Sequence, residues 1–181
     1  TRRDAFTDVE IEKIKKACGK VPHAEEVYIL IYTGFRPSEY LALTADSYDS
    51  TLQTLTGGAK TEAGKERIVT LSPKIAPLVA ALAASGGPLV KDPSGKAWTL
   101  KGWTEDVFYP VLDAAGISHP VENKRHKYTP HTCRHTFATL MKRVDGADKD
   151  KQELIGHASA EMLRYYQDVE IADLRRITDA I

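Results

Sequence analysis

The chain has 181 residues, of which 42% are hydrophobic and 28% charged, and its 25 Lys and Arg residues balance 25 Asp and Glu residues. No apolar run approaches the ~18 residues that a membrane-spanning helix needs, so the sequence predicts no transmembrane helix and no membrane partner. Cys18 and Cys133 are too few for a disulfide scaffold and fit a reducing cytoplasm, where we expect the protein to act.

The first forty residues predict three helices. Thr7 and Glu10 form a capping-box pattern that begins the first helix, and Gly19 ends it. A second helix is predicted from Ala24 to about Tyr32, and its dense apolar residues indicate that it is buried. The third begins at Pro37, because proline suits the first position of a helix.

Residues 50–71 predict strands instead of helices. Two segments rich in β-branched residues, 51–55 and 67–71, flank a glycine-rich segment at 57–64, which indicates a small antiparallel sheet built from hairpins. The rest of the chain predicts helices over residues 73–84, 102–115, 129–144, 149–155, 159–166 and 171–181. The predicted fold class is therefore mainly α with a small antiparallel β-sheet (α+β).

A basic run lies between residues 120 and 135, where four cations, Lys124, Arg125, Lys127 and Arg134, outnumber one carboxylate. Such a run is typical of a solvated loop, but it also suits contact with DNA phosphates in a chain whose overall charge is balanced. On the second interpretation we predict Lys124, Arg125 and Lys127 as DNA-binding residues.

Other side chains occupy positions that suit an anion. Arg36 lies at the start of a helix, where free backbone N–H groups and the helix dipole favour negative charge. His131 and Arg134 are three residues apart near another predicted helix start and project from one face. His157 lies in a predicted turn and could point into a cleft. Structural roles remain open: a pair between Arg36 and Glu39, a cap or core role for His131, and a turn role for His157.

His131 and His135 are four residues apart with Cys133 between them, a pattern that raises the question of zinc. Zinc sites usually have three or four protein ligands, and the sequence offers no second cluster to supply them. No metal site is predicted.

Five segments together resemble the tyrosine recombinases, the phage integrase family. Residues 33–41 (TGFRPSEYL) resemble the family's first arginine box, and residues 131–139 (HTCRHTFAT) resemble its His-x-x-Arg box. Residues 154–159 (LIGHAS) resemble the box that precedes the nucleophile, and Tyr166 stands nine residues after His157. Residues 59–64 (AKTEAG) resemble the β-hairpin that carries the family's lysine.

The resemblance implies a tyrosine recombinase catalytic-domain fold and a reaction through a 3′-phosphotyrosyl intermediate, without metal, cofactor or ATP. Tyr166 would be the nucleophile and Lys60 the acid that protonates the leaving 5′-oxygen. Tyr165 and Lys65 are the alternatives for these two roles.

The remaining family roles concern the phosphate. Arg36 and Arg134 would hold its nonbridging oxygens through charged, bidentate hydrogen bonds. His131 and His157 would donate further hydrogen bonds, and Glu39 would support the site by holding Arg36 or His131.

The resemblance further implies a site-specific recombinase of a prophage or integrative mobile element. Its partners would be double-stranded DNA, further copies of the chain in a synaptic tetramer, and accessory DNA-bending proteins. Residues 1–181 would form a single catalytic domain, without the N-terminal domain that clamps DNA in this family. Residues 171–181 would form a tail helix that packs in cis or is exchanged between protomers. A type IB topoisomerase-like enzyme and a non-catalytic DNA-binding module are the alternative functions.

Overall fold

The computed structural model describes residues 4–57, 67–156 and 170–181. Within these ranges the chain is mostly helical, with helices α1 (Asp8–Ala17), α2 (Ala24–Thr33), α3 (Pro37–Leu41), α4 (Ala76–Ala83), α5 (Leu100–Trp103), α6 (Tyr109–Ala114), α7 (Pro130–Lys142), α8 (Asp148–Ile155) and α9 (Ile171–Ala180). The same ranges contain five short strands, β1 (Tyr48–Asp49), β2 (Thr54–Gly57), β3 (Arg67–Thr70), β4 (Val121–Glu122) and β5 (Arg125–His126). None of the helices in these ranges combines the length and apolar character that crossing a bilayer requires.

Two of the predicted helix boundaries depend on residues close in sequence. The backbone N–H of Glu10 donates to Oγ1 of Thr7 at 3.2 Å, and the N–H of Thr7 donates back to Oε1 of Glu10 at 2.9 Å, so the capping box is confirmed. Helix α8 ends at Gly156, which has the left-handed conformation with φ of 72°. The helix predicted over residues 159–166 lies outside the described residues.

The three-stranded sheet is antiparallel in the order β1-β2-β3, with Leu55 opposite Val69 and Gly57 opposite Arg67. The prediction of a strand through residues 51–53 is wrong. These residues form a turn, because the Asp49 carboxylate accepts hydrogen bonds from the N–H groups of Thr51 and Leu52, both at 2.9 Å. Short Asp side chains favour such turns over strands.

The predicted fold class, mainly α with small antiparallel β structure, is confirmed, and the described residues add a second sheet that the sequence did not indicate, the hairpin β4–β5. Its turn residues Asn123 and Lys124 have φ of 51° and 61°, the left-handed conformation that two-residue hairpin turns require. The first part of the basic run, residues 121–126, is therefore a hairpin instead of a loop, and Arg134 belongs to α7.

The predicted helix over 102–115 starts earlier, at Leu100, and passes through a π-helical segment, Thr104–Phe108, before α6. Pro110 has no N–H and cannot bond to the carbonyl four residues before it. The N–H of Tyr109 bonds instead to the carbonyl of Thr104, five residues earlier.

Helix α2 lies in the core and packs against α1 and α7. Every residue from Glu26 to Thr33 is buried. Burial raises the pKa of the Glu26 carboxyl, whose Oε1 accepts a 3.0 Å hydrogen bond from Nε1 of Trp103. The helix ends at Gly34 beside α7, and this position places the following residues, including Arg36.

Helix α9 packs against α8 and β3 of its own chain. Leu174, Ile177 and Ile181 of the predicted apolar stripe are buried. The hydroxyls of Thr70 and Thr178, both fully buried, are hydrogen-bonded at 2.8 Å. The tail thus packs in cis against β3 and α8. Its exchange between protomers stays a prediction.

Candidate active site

Arg36 and Glu39 are brought together at the start of α3. Arg36 has an extended backbone with ψ of 139° and precedes Pro37, which occupies the first turn of the helix. Its Nη1 donates to Oε1 of Glu39 at 3.1 Å, so the predicted contact between the two residues is confirmed. The Glu39 side chain is 8% exposed and that of Arg36 is 43% exposed, which leaves the outer part of the guanidinium accessible.

Arg67, at the start of β3, joins the same carboxylate. Its Nη2 donates to Oε2 of Glu39 at 3.1 Å, and its Nη1 donates to the carbonyl of Ile155 at 3.3 Å. The guanidinium carbon lies 4.7 Å from the ring centroid of Phe35, within the range of a cation–π contact. Sequence reasoning missed this residue, although strand alternation places it on the same buried face as Val69.

Arg134 reaches the site from α7. Its Nη1 donates to the carbonyl of Gly34 at 2.7 Å, and its Nη2 is buried without a hydrogen-bond partner among the described residues. Burial lowers the pKa of Arg134 to about 10, with help from the charges of Arg67 and Arg36 and against the opposing effect of Glu39. The group still remains charged at neutral pH.

Burial also lowers the pKa of Arg67 to about 10, while the Glu39 carboxylate opposes the shift. Arg36 and Arg67 therefore share the Glu39 carboxylate, and the charge of Glu153 also acts on Arg67. Among the described residues of the site, the three guanidinium groups outnumber these two carboxylates. This excess of positive charge attracts an anion, and guanidinium groups match the geometry of phosphate oxygens.

The orientation of α7 depends on residues other than the predicted histidine. Thr129 caps the helix, and its N–H donates to Oγ1 of Thr132 at 2.9 Å, so the interpretation of His131 as the cap is wrong. Cys133 and Phe137 are fully buried on one side of the helix. His131 and Arg134 are half-buried, and the role of His131 at the phosphate stays a prediction.

Lys60, His157 and Tyr166, with the alternatives Lys65 and Tyr165, lie outside the described residues. The residues that flank the two segments are nevertheless together. Arg67 pairs with Gly57 across the sheet and contacts Ile155, the last residue of α8. A Cβ atom on Gly156 would lie 2.4 Å from Nη1 of Arg67, so a larger residue at this position would force the guanidinium to move.

The basic hairpin, residues 120–127, is held in place by its neighbours. The Tyr109 ring stacks on His119 at 4.8 Å and on His126 at 5.0 Å, and the N–H of Lys127 donates to the Pro120 carbonyl at 2.9 Å. Its predicted DNA-binding residues, Lys124, Arg125 and Lys127, are all exposed. An exposed group of cations on a hairpin held in this way can form ion pairs with the phosphates of a DNA backbone.

The described ranges contain no group of three or more His, Cys, Asp or Glu side chains placed to hold a metal ion.

The sequence model of the phage integrase family matches residues 5–172. Tyrosine recombinase XerD of Lacticaseibacillus casei is 33% identical over 147 residues, which cover 77% of this chain and 48% of the relative. Tyrosine recombinase XerA of Saccharolobus solfataricus is 26% identical over 171 residues, which cover 94% of this chain and 54% of the relative. The chain thus spans about half the length of the curated relatives it matches.

Solved structures show the same fold. The integrase of transposon Tn1549, in complex with transposon right end DNA, has a TM-score of 0.71 at 20% identity, covering 97% of this chain and 65% of that one. The crystal structure of XerA recombinase has a TM-score of 0.70 at 22% identity, covering 98% and 65%. At these identities the likeness concerns the fold.

Proposed function

The chain belongs to the phage integrase family, and from this premise we propose that it is the catalytic domain of a site-specific DNA recombinase of a prophage or integrative mobile element. Its fold is that of the tyrosine recombinase catalytic domain, as the sequence resemblance implied. The observation that carries the proposal is the clustering of three arginines: Arg36 and Arg67 on the Glu39 carboxylate, and Arg134 on the carbonyl of Gly34, two residues before Arg36.

The positive charge suits the chemistry of a phosphodiester, whose own negative charge repels nucleophiles. Arg36 and Arg134 would hold the nonbridging oxygens and stabilise the charge that grows on them during attack. Among the described residues Nη2 of Arg134 has no partner, which supports this role, because a buried donor without a partner is costly and a phosphate oxygen would satisfy it.

Tyr166 would attack phosphorus through its phenol oxygen, forming the phosphotyrosyl bond as the bond to the 5′-oxygen breaks. Lys60 would give its proton to that leaving oxygen, and His131 would help to accept the phenol proton. Rejoining is the same sequence in reverse, with the 5′-hydroxyl as nucleophile, so the step conserves bond energy and calls for neither ATP nor a metal ion.

Double-stranded DNA is the proposed substrate. The Tn1549 integrase was solved with transposon right end DNA, and XerH recombinase, 24% identical with a TM-score of 0.63, was solved bound to its difH substrate. The exposed cations of the basic hairpin would contact the phosphate backbone. Strand exchange would take place in a tetramer of this chain on two duplexes, with accessory DNA-bending proteins as further partners.

The test is covalent capture. The protein is incubated with a nicked duplex that carries the ends of its own element and is then resolved by denaturing electrophoresis. We expect a protein–DNA adduct that survives denaturation and disappears on protease treatment. Noncovalent binding without an adduct would favour the DNA-binding module, and relaxation of supercoiled DNA without strand exchange would favour the topoisomerase-like enzyme.

A further inference from the structure

Glu39 divides its two carboxylate oxygens between two arginines, Arg36 on Oε1 and Arg67 on Oε2, each at 3.1 Å. We propose that Arg67 is a positioning residue for the phosphate-binding arginine. It occupies one oxygen of Glu39, so that Arg36 bonds to this carboxylate through a single nitrogen, the one such contact of Arg36 within the described ranges, and keeps its remaining donors for the substrate. This inference rests on the proposed function, since it concerns how Arg36 is presented to a phosphate.

The division of the carboxylate matters because arginine and carboxylate prefer to bind through two parallel hydrogen bonds. Without Arg67, both oxygens of Glu39 would be open to Arg36. The Glu39 side chain is 8% exposed, and a buried carboxylate left with an unsatisfied oxygen is costly. Arg36 would turn onto Glu39 with both of its ends and present fewer donors to the phosphate.

Arg67 can perform this role because other contacts hold it independently of Arg36. It is 5% exposed, it donates to the Ile155 carbonyl, and its guanidinium lies over the Phe35 ring. Its backbone is fixed by pairing with Gly57 across the sheet. Both of its terminal nitrogens are therefore used within the described residues, Nη1 on Ile155 and Nη2 on Glu39.

The contact with Ile155 also connects Arg67 to the end of α8. Ile155 is the last residue of α8, where a cation is favourable at the negative end of the helix dipole. Gly156 follows directly, against the guanidinium. The Arg67 side chain therefore contacts both Glu39 and the end of α8, after which the chain continues to His157.

The experiment measures single-turnover cleavage of the nicked duplex, together with noncovalent affinity and thermal stability. Arg67→Met should slow cleavage between about 10- and 100-fold, the scale on which a misplacement of about 1 Å acts. The Kd for the duplex should stay within about twofold, because Arg67 is only 5% exposed and is proposed to act through Glu39 and Arg36. The matched control is Arg143→Met, which removes an exposed ion pair to Asp8 at 2.7 Å and should cleave normally.

The decisive variant is the double substitution of Arg67→Met with Glu39→Gln. A neutral amide holds Arg36 less strongly than a carboxylate, so the double variant should cleave faster than Arg67→Met alone. If Arg67 only stabilises the fold, the double variant should regain thermal stability but cleave no faster than Arg67→Met. A wild-type rate in Arg67→Met, or no recovery in the double variant, would overturn the proposal.

Should Arg67→Met fail to fold, Arg67→Lys replaces it in the comparison. A lysine offers one point charge and cannot bridge Glu39 and the Ile155 carbonyl as the guanidinium does, so slower cleavage at unchanged Kd is expected and a wild-type rate would contradict the role. Absence of an adduct in the wild type and in Arg143→Met would count against the proposed function itself.

Discussion

The carbonyl oxygen of Gly34 accepts a hydrogen bond of 2.7 Å from Nη1 of Arg134, a residue 100 positions later in the chain. Gly34 also lies against α7, where a Cβ atom would come within 2.1 Å of the Phe137 ring. Since Arg36 follows Gly34 by two residues, the same contact sets the separation of the two arginines. The pair is therefore placed by the packing of α2 on α7 before any substrate binds.

The first prediction concerns this pair. Arg36→Lys and Arg134→Lys should each reduce cleavage by orders of magnitude, because lysine keeps the charge but loses the planar fork that binds two oxygens at once. In Arg134→Lys the single ammonium cannot serve both the Gly34 carbonyl and the phosphate. The rate of adduct formation measures the effect, with Arg143→Lys as the control on an exposed ion pair. Near-normal cleavage rates in both variants would show that the two arginines do not bind the phosphate.

The second prediction separates backbone strain from contact with Arg67. Gly156 and Gly86 have φ of 72° and 67°, and an added Cβ would have open space at Gly86 but would overlap the Arg67 guanidinium at Gly156. Alanine at either position should cost about 1 kcal/mol of strain, a fall in Tm of about 2–4 °C. Only Gly156→Ala should fall further and lose cleavage activity. Equal behaviour of the two variants in thermal melts and cleavage assays would show that the contact with Arg67 is unimportant.

The third prediction identifies the nucleophile. Tyr166→Phe removes a single hydroxyl, so the covalent adduct should disappear while noncovalent DNA binding and the melting temperature stay unchanged. Tyr165→Phe is the matched control and should still form the adduct. The reverse result, with the adduct lost only in Tyr165→Phe, would move the nucleophile by one residue.

The fourth prediction concerns the general acid. Lys60→Ala should cripple cleavage of an ordinary duplex and spare a substrate with sulfur in place of the bridging 5′-oxygen, because a thiolate leaves without a proton. Rates on the two substrates are compared for Lys60→Ala and Lys65→Ala. Rescue by sulfur only in Lys65→Ala would assign the proton to that lysine, and an equal defect of Lys60→Ala on both substrates would exclude Lys60.

Local chemistry made part of this structure predictable. The cap formed by Thr7 and Glu10 and the stop at Gly156 each depend on residues close in sequence, and both are confirmed. The pairing of Arg36 with Glu39 is equally local, since the two residues are three positions apart at the start of α3.

The contacts of Arg67 could not be predicted in the same way, because its partners Glu39 and Ile155 are 28 and 88 residues away. The hairpin β4–β5 was missed for another reason. Its strands have two residues each, too few for an alternating pattern, and its turn requires left-handed conformations at Asn123 and Lys124. Tertiary packing, including the stack of Tyr109 on two histidines, stabilises a hairpin that the sequence pattern does not indicate.

The last prediction addresses the tail. Helix α9 covers β3 and α8, the elements that hold Arg67, and buries Leu174 and Ile177 against them. Deleting residues 171–181 would expose this surface at a cost of about 1.5–3 kcal/mol for each aliphatic side chain, so loss of assembly and loss of packing would be confounded.

A crosslink separates the two. The hydroxyls of Thr70 and Thr178 are 2.8 Å apart, so the side chains at these two positions are in contact, and the pair Thr70→Cys with Thr178→Cys is chosen as a disulfide probe. In the free protein the bond should form within one chain, as the cis packing of α9 indicates. On paired DNA sites we propose that the tail occupies the same surface of a neighbouring protomer, so oxidation there should give covalent dimers and larger species on non-reducing denaturing gels. Thr178→Cys alone controls for bonds to the native Cys18 and Cys133. Intramolecular bonding in both conditions, with strand exchange intact, would show that each tail supports only its own active site.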